Sequence, residues 1–128
     1  MKPTTLEWVE KAENDFTAAS QLMRRRKSVM TDAACFFCQQ SVEKYFKARL
    51  IEAGIAFPRT HDLRQLLNLC LVVEPLWSDY ETRAETLTDY AVSFRYPGES
   101  ATLAEAKRAL KDCQALRAEV RRSLGLSV

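Results

Sequence analysis

The stretch from Thr31 to Ala53, TDAACFFCQQSVEKYFKARLIEA, decides the fold. It contains neither glycine nor proline, and Gly54, which follows it, is the residue type that most readily takes the left-handed backbone ending a helix. Ala34, Cys35, Phe37, Cys38, Val42, Tyr45, Phe46 and Ala53 cover well over half the circumference of a helix drawn through it. A helix apolar most of the way round is packed by neighbours on several sides, so this one is expected at the centre of a bundle. Thr31 or Asp32 is expected near its N-cap. The stripe left over carries Phe36, Gln40, Glu43 and Lys47, with Gln39 and Lys44 beside it.

Helical periodicity continues on both sides. Thr5 to Arg26 sets Trp8, Ala12, Phe16, Ala19 and Met23 on one face, with Asp15 at its border. Thr4 and Glu7 have capping-box spacing, and the basic run Arg24 to Lys27 suits a helix C-terminus. A loop from Gly54 to Arg59 leads to Thr60, an N-cap candidate for a short helix from Asp62 to Glu74 that turns Leu63, Leu66, Leu67 and Cys70 inward. Leu76 to Phe94 carries the stripe Leu76, Tyr80, Ala84, Leu87, Ala91 and Phe94, and the segment Arg95-Tyr96-Pro97-Gly98 breaks it. Ser100 to Leu124 repeats the period on Leu103, Ala106, Leu110, Cys113, Val120 and Leu124, and Gly125 closes it. No segment alternates with the period of a strand. The expectation is one domain over residues 1–128, all-α, an up-and-down bundle of four long helices plus one short helix.

Bulk composition agrees. Among 128 residues there are three Gly and four Pro, where average usage would give about nine Gly, too few turn formers for a many-stranded β-fold. Nineteen basic residues against 17 acidic leave a net charge of +2, too even to imply a partner held by bulk electrostatics. No apolar run approaches the roughly 18–20 residues of a membrane span. The N-terminus leads directly into a charged amphipathic segment without the pattern of a signal peptide, so a cytoplasmic location with reduced cysteines is expected. Cys35 and Cys38 form a C-x-x-C pair, but inside the apolar helix and with no strand before it. Cys70, Cys113 and His61 stand at irregular spacings for zinc, so all four cysteines are expected to be buried structural residues, with no metal or other cofactor.

Three places carry side chains capable of chemistry. On the central helix, Gln40, Glu43, Lys44 and Lys47 read either as a solvated edge, with Glu43 and Lys47 as an i, i+4 pair, or as a polar network at a groove that holds a loop or a ligand. Residue types alone favour the solvated edge, because charged helix faces are usually hydrated. His61, the only histidine, has the side chain whose ordinary titration suits proton transfer near neutral pH, and its commoner role is to anchor a loop through one ring nitrogen. At the break, Arg95 can grip a phosphate through its planar fork, and Tyr96 can stack on a base or cover the core beside the terminator Pro97-Gly98. The basic residues Arg24 to Lys27, Arg121 and Arg122 read as solvated helix ends.

Taken together, Phe36-x-x-Gln39-Gln40-x-x-Glu43-Lys44-x-x-Lys47, Arg59-Thr60-His61-Asp62-Leu63 and Phe94-Arg95-Tyr96-Pro97 resemble the HEPN family (higher eukaryotes and prokaryotes nucleotide-binding domain) over about residues 5 to 122. The resemblance implies a helical bundle that forms homodimers, a nucleotidyltransferase-domain protein as partner in a toxin–antitoxin pair, and a nucleotide or RNA as ligand. It places ligand or partner contacts at Gln40, Glu43, Lys44, Lys47, His61, Asp62, Arg95 and Tyr96. Many members of the family are metal-independent ribonucleases whose motif is an Arg followed, four to six residues later, by a His. Here Arg95 is followed by Tyr96, Pro97, Gly98, Glu99, Ser100, Ala101 and Thr102, without a histidine. The usual general acid–base group is missing from that segment, which points to a binding or interaction module. The alternative is a ribonuclease whose site is assembled from Arg95 and His61.

Overall fold

In the computed structural model, which describes residues 1–25 and 27–128, the Thr31–Ala53 stretch forms one continuous helix with those bounds. The chain builds α1 (Pro3–Met23), α2 (Thr31–Ala53), α3 (Leu63–Cys70), a 3-10 turn (Pro75–Tyr80), α4 (Glu81–Ser93) and α5 (Leu103–Ser123). No strand occurs among the described residues. The fold is the expected all-α up-and-down bundle, and α2 packs against each of the other four α-helices, most extensively against α1 and then α5. Its apolar circumference explains that position. Cys35, Cys38, Val42, Tyr45, Phe46, Ala48 and Leu50 are all fully buried. Burial of one large apolar side chain stabilises by roughly 1.5–3 kcal/mol, so no arrangement that exposes a face of α2 competes.

Gly54 ends α2 as expected. It adopts φ 72°, and the Gly54 and Ile55 amides donate back to the last-turn carbonyls, Gly54 N to Ile51 O at 3.0 Å and Ile55 N to Leu50 O at 2.9 Å. The N-terminus of α2 differs from expectation. Met30 is its N-cap residue and no side chain caps it. Instead, Thr31 Oγ1 donates to Ala101 O at 2.9 Å, and Asp32 Oδ1 accepts from Ala101 N at 2.6 Å. Both side chains are spent on fastening the α4–α5 connection, which includes Arg95, to the central helix.

Other ends also differ. α1 begins at Pro3, whose fixed φ suits the first helical turn, and no Thr4–Glu7 capping box forms. It stops at Met23, before the basic run, and Arg26 lies outside the described residues. α3 is shorter than expected and is capped by Asp62, whose carboxylate accepts from Arg64 N at 2.9 Å. The helical period assigns Leu76 to an inward stripe, but Pro75 starts a 3-10 turn of three residues per turn, which shifts the phase. Trp77 is buried in its place, against Phe46, and Leu76 is 83% exposed. At α5 a capping box does form, between Thr102 and Glu105.

Arg121 is not a solvated helix end. With Arg117 it reaches Glu13 of α1 and the Tyr45 hydroxyl of α2, tying three helices together beneath partial cover. Burial and the Glu13 carboxylate push the Tyr45 phenol up to about 12. Arg122, by contrast, is exposed and, among the described residues, pairs with Glu119 alone. All four cysteines are free thiols in the core. Among the described residues, no helix is long and apolar enough to cross a membrane.

Candidate functional site

The polar stripe of α2 is not a solvated edge. Gln39, Glu43 and Lys47 recur every four residues on one face and are 1%, 3% and 8% exposed. Burying an amide and two charges is costly unless each finds a partner, and each does. Lys47 Nζ donates to Glu43 Oε2 at 3.0 Å, and Gln39 Nε2 donates to Glu43 Oε1 at 3.2 Å and to the backbone carbonyl of His61 at 2.8 Å. His61 Nδ1 lies 2.8 Å from Glu43 Oε1. Burial alone would raise the Glu43 carboxyl. Hydrogen bonds from His61, Lys47 and Gln39 outweigh it and hold the group below its ordinary 4.5.

An ionised carboxylate at Nδ1 selects the tautomer. Nδ1 carries the hydrogen and Nε2 keeps its lone pair when the ring is neutral. The His61 side chain is 77% exposed, so the oriented ring projects from a buried acid into solvent. The surrounding turn is fastened from several directions. Thr60 Oγ1 accepts from Asp62 N at 3.1 Å, and Thr88 Oγ1 of α4 accepts from Leu63 N at 3.1 Å. Both the loop-anchoring role of His61 and the groove network on α2 are therefore present as one hydrogen-bonded unit.

Three clefts run along this face. A cleft of about 220 Å3 brings His61 and Asp62 together with Gln39, Thr88 and Arg95. A wider one of about 480 Å3 shares Arg95 and Ala91 with it and continues over Asp32, Phe36, Tyr90 and Phe94. On the far side of His61 lies a third, of about 470 Å3, between α1 and the Phe57–His61 loop. Arg95 stands at one junction and His61 at the other. The two breaks in the helical chain that looked most like sites in sequence thus share one groove.

Not every candidate enters it. Lys44 pairs with Asp15 of α1 and lines a separate depression with Glu7, Trp8 and Lys11. Gln40 reaches the loop only through its neighbour, donating to Gln39 Oε1 at 2.7 Å. Tyr96 neither covers the core nor lines a cleft described above; it is 63% exposed. Sequence reasoning missed Gln39 as the residue that holds the loop, although its i, i+4, i+8 phase with Glu43 and Lys47 was available. It also missed Thr88 and the Trp8–Phe57 pair, which depend on contacts between elements far apart in the chain. Among the described residues, no group of three or more His, Cys, Asp and Glu is placed to hold a metal ion.

An all-helical up-and-down bundle whose groove is built from side chains of its central helix, α4 and two interhelical loops defines the class. The sequence profile of the HEPN domain matches residues 5–123, nearly the whole chain, and the protein belongs to the HEPN family. A crystal structure of TT1696 from Thermus thermophilus superposes with a TM-score of 0.81 at 24% identity, over 94% of this chain and 98% of that one. At that identity the likeness speaks for the fold alone. No protein of curated function matches the sequence.

Proposed function

We propose that the protein is a HEPN binding module that takes a nucleotide or RNA phosphate in the groove between His61 and Arg95, acts in the cytoplasm as a homodimer, and works with a nucleotidyltransferase-domain protein in a toxin–antitoxin-like pair. The observation that carries the reading is the convergence of Arg95 and the Glu43-oriented His61 on one cleft. A guanidinium fork and an imidazole are suited to phosphate oxygens, and with a net charge of +2 recognition has to be local. Phe36, Tyr90 and Phe94 line the adjoining cleft, where Phe36 is 38% exposed, and Val92 on the His61–Arg95 cleft is 55% exposed. Such an apolar surface beside Arg95 supports a second copy as its cover.

The test combines three measurements on purified protein. Sedimentation is expected to give twice the 14.6 kDa of one chain, labelled RNA or nucleotide is expected to bind, and Arg95→Ala is expected to weaken that binding about tenfold. Co-expression with a neighbouring gene product is expected to recover a nucleotidyltransferase complex. A monomer at micromolar concentration, binding indifferent to Arg95→Ala and no such complex would overturn the reading.

One observation favours a second reading. His61 Nε2 is available as a proton acceptor on the cleft that also holds Arg95, the pairing that a metal-independent ribonuclease would need. Cleavage of RNA in the presence of a chelator should then be lost in both His61→Ala and Arg95→Ala. No cleavage, or equal cleavage by all three proteins, excludes it.

A further inference from the structure

The cleft on the far side of His61 has a composition of its own. Trp8 from α1 and Phe57 and Pro58 from the loop supply an apolar, largely aromatic wall, and Lys47, Arg59 and His61 supply the polar groups. Trp8 and Phe57 meet edge to face, with centroids 6.4 Å apart and ring planes at 75°. Lys47 Nζ lies 5.5 Å from the Trp8 centroid and 5.8 Å from that of Phe57, so the ammonium is held by both rings as well as by Glu43. Among the described residues no carboxylate lines this cleft. Glu43 stands behind it at 4% exposure, its oxygens already engaged by Lys47, Gln39 and His61. Arg59 is exposed and belongs to no ion pair among the described residues.

Such a cleft offers π surface and uncompensated positive charge together. Its complement is a planar ring carrying an anion. A volume of about 470 Å3 is in the range of small-molecule sites and suits a ligand of one ring system, a sugar and a phosphate. We infer that this cleft holds one nucleoside monophosphate unit, its base against Trp8 and Phe57 and its phosphate on Arg59 and His61. The choice of a nucleotide over other aromatic anions rests on the function proposed above. The unit is either a free nucleotide or one residue of a single-stranded RNA whose next phosphate lies toward Arg95.

Trp8 is a built-in reporter. The other tryptophan, Trp77, is 2% exposed and packs on Phe46, so it contributes a constant background. Tryptophan fluorescence is measured while the full chain is titrated with adenosine monophosphate and, separately, with a short oligoadenylate. Saturable quenching is expected, absent in Trp8→Phe, and weakened about tenfold in Arg59→Ala, an exposed site whose loss should not disturb folding. Quenching by the mononucleotide identifies a free nucleotide as the source, and quenching by the oligonucleotide alone identifies an RNA residue. No saturable quenching by either ligand at millimolar concentration overturns the inference. So does equal affinity in wild type and Arg59→Ala. Arg95→Ala separates the two proposals: binding lost there but intact in Arg59→Ala sinks this inference and spares the His61–Arg95 groove, and the reverse result supports this cleft and counts against the groove.

Discussion

Glu43 and His61 are 18 residues apart in sequence and joined by a 2.8 Å contact between Oε1 and Nδ1. Their side chains are 4% and 77% exposed, so the pair runs from the packed interior of the bundle to its surface. A buried acid thereby sets the orientation of an exposed base, and α2 controls a loop that follows it in the chain. The hydrogen bonds from His61, Lys47 and Gln39 keep the acid ionised despite its burial.

That relationship has a pH signature. Because the Glu43 carboxyl titrates below its ordinary 4.5 in the folded protein, it contributes stability at pH values above 4.5 and loses it as pH falls through the folded value. Glu43→Gln should therefore cost about 3 kcal/mol at neutral pH, since it leaves Lys47 buried without its partner, and the penalty should shrink in acid. Urea denaturation of both proteins across the acid range measures this. A penalty independent of pH would contradict the pairing.

The two adjacent glutamines should behave differently. Gln39 donates to the His61 carbonyl from a buried position, whereas the side-chain hydrogen bond of Gln40 among the described residues goes to Gln39. Gln39→Ala is expected to cost roughly 1–2 kcal/mol and to expose the Phe57–His61 loop to proteolysis. Gln40→Ala should stay within about 0.5 kcal/mol and leave the loop protected. Limited proteolysis followed by mass spectrometry distinguishes them, and equal effects would refute the assignment.

Asp112 of α5 works against the fold at neutral pH. Among the described residues its buried Oδ2 has no hydrogen-bond partner, and Arg83 and Arg108 come no nearer than 3.7 and 3.8 Å. Burial raises its carboxyl, outweighing both arginines. A raised folded value means that the ionised form, present at neutral pH, is the less stable one in the fold. Asp112→Asn should raise stability by about 1 kcal/mol, roughly 4 °C in Tm, with the gain fading in acid as the wild-type carboxyl protonates. Scanning calorimetry at two pH values tests it; a lower Tm at neutral pH would show the two arginines to matter more than burial.

Gly54 should resist replacement for a conformational reason. A Cβ there would meet nothing closer than Lys2 Nζ at 3.8 Å, yet the backbone sits at φ 72°. Gly54→Ala should cost about 1 kcal/mol without altering the helical content, which circular dichroism and chemical denaturation would show together.

The architecture was legible because helical period, apolar coverage and helix breakers are properties of neighbouring residues. The bounds of α2 follow from an unbroken apolar-rich run and the glycine after it. Local rules misled where two local devices competed. Pro3 started α1 ahead of the Thr4–Glu7 box, and the 3-10 turn from Pro75 exchanged Leu76 for Trp77 in the core.

By itself the sequence determined the family, the all-helical fold and the two loops that hold His61 and Arg95. Only the tertiary structure decided what the polar residues do. Thr31 and Asp32 left their own helix end to hold Ala101, Lys44 turned to Asp15, and Gln39 rather than Gln40 took the His61 carbonyl. The physical reason is that helix formation is settled by hydrogen bonds four residues apart. A buried charge or amide must instead take whichever partner the packed neighbours bring within about 3 Å, and that depends on the whole fold.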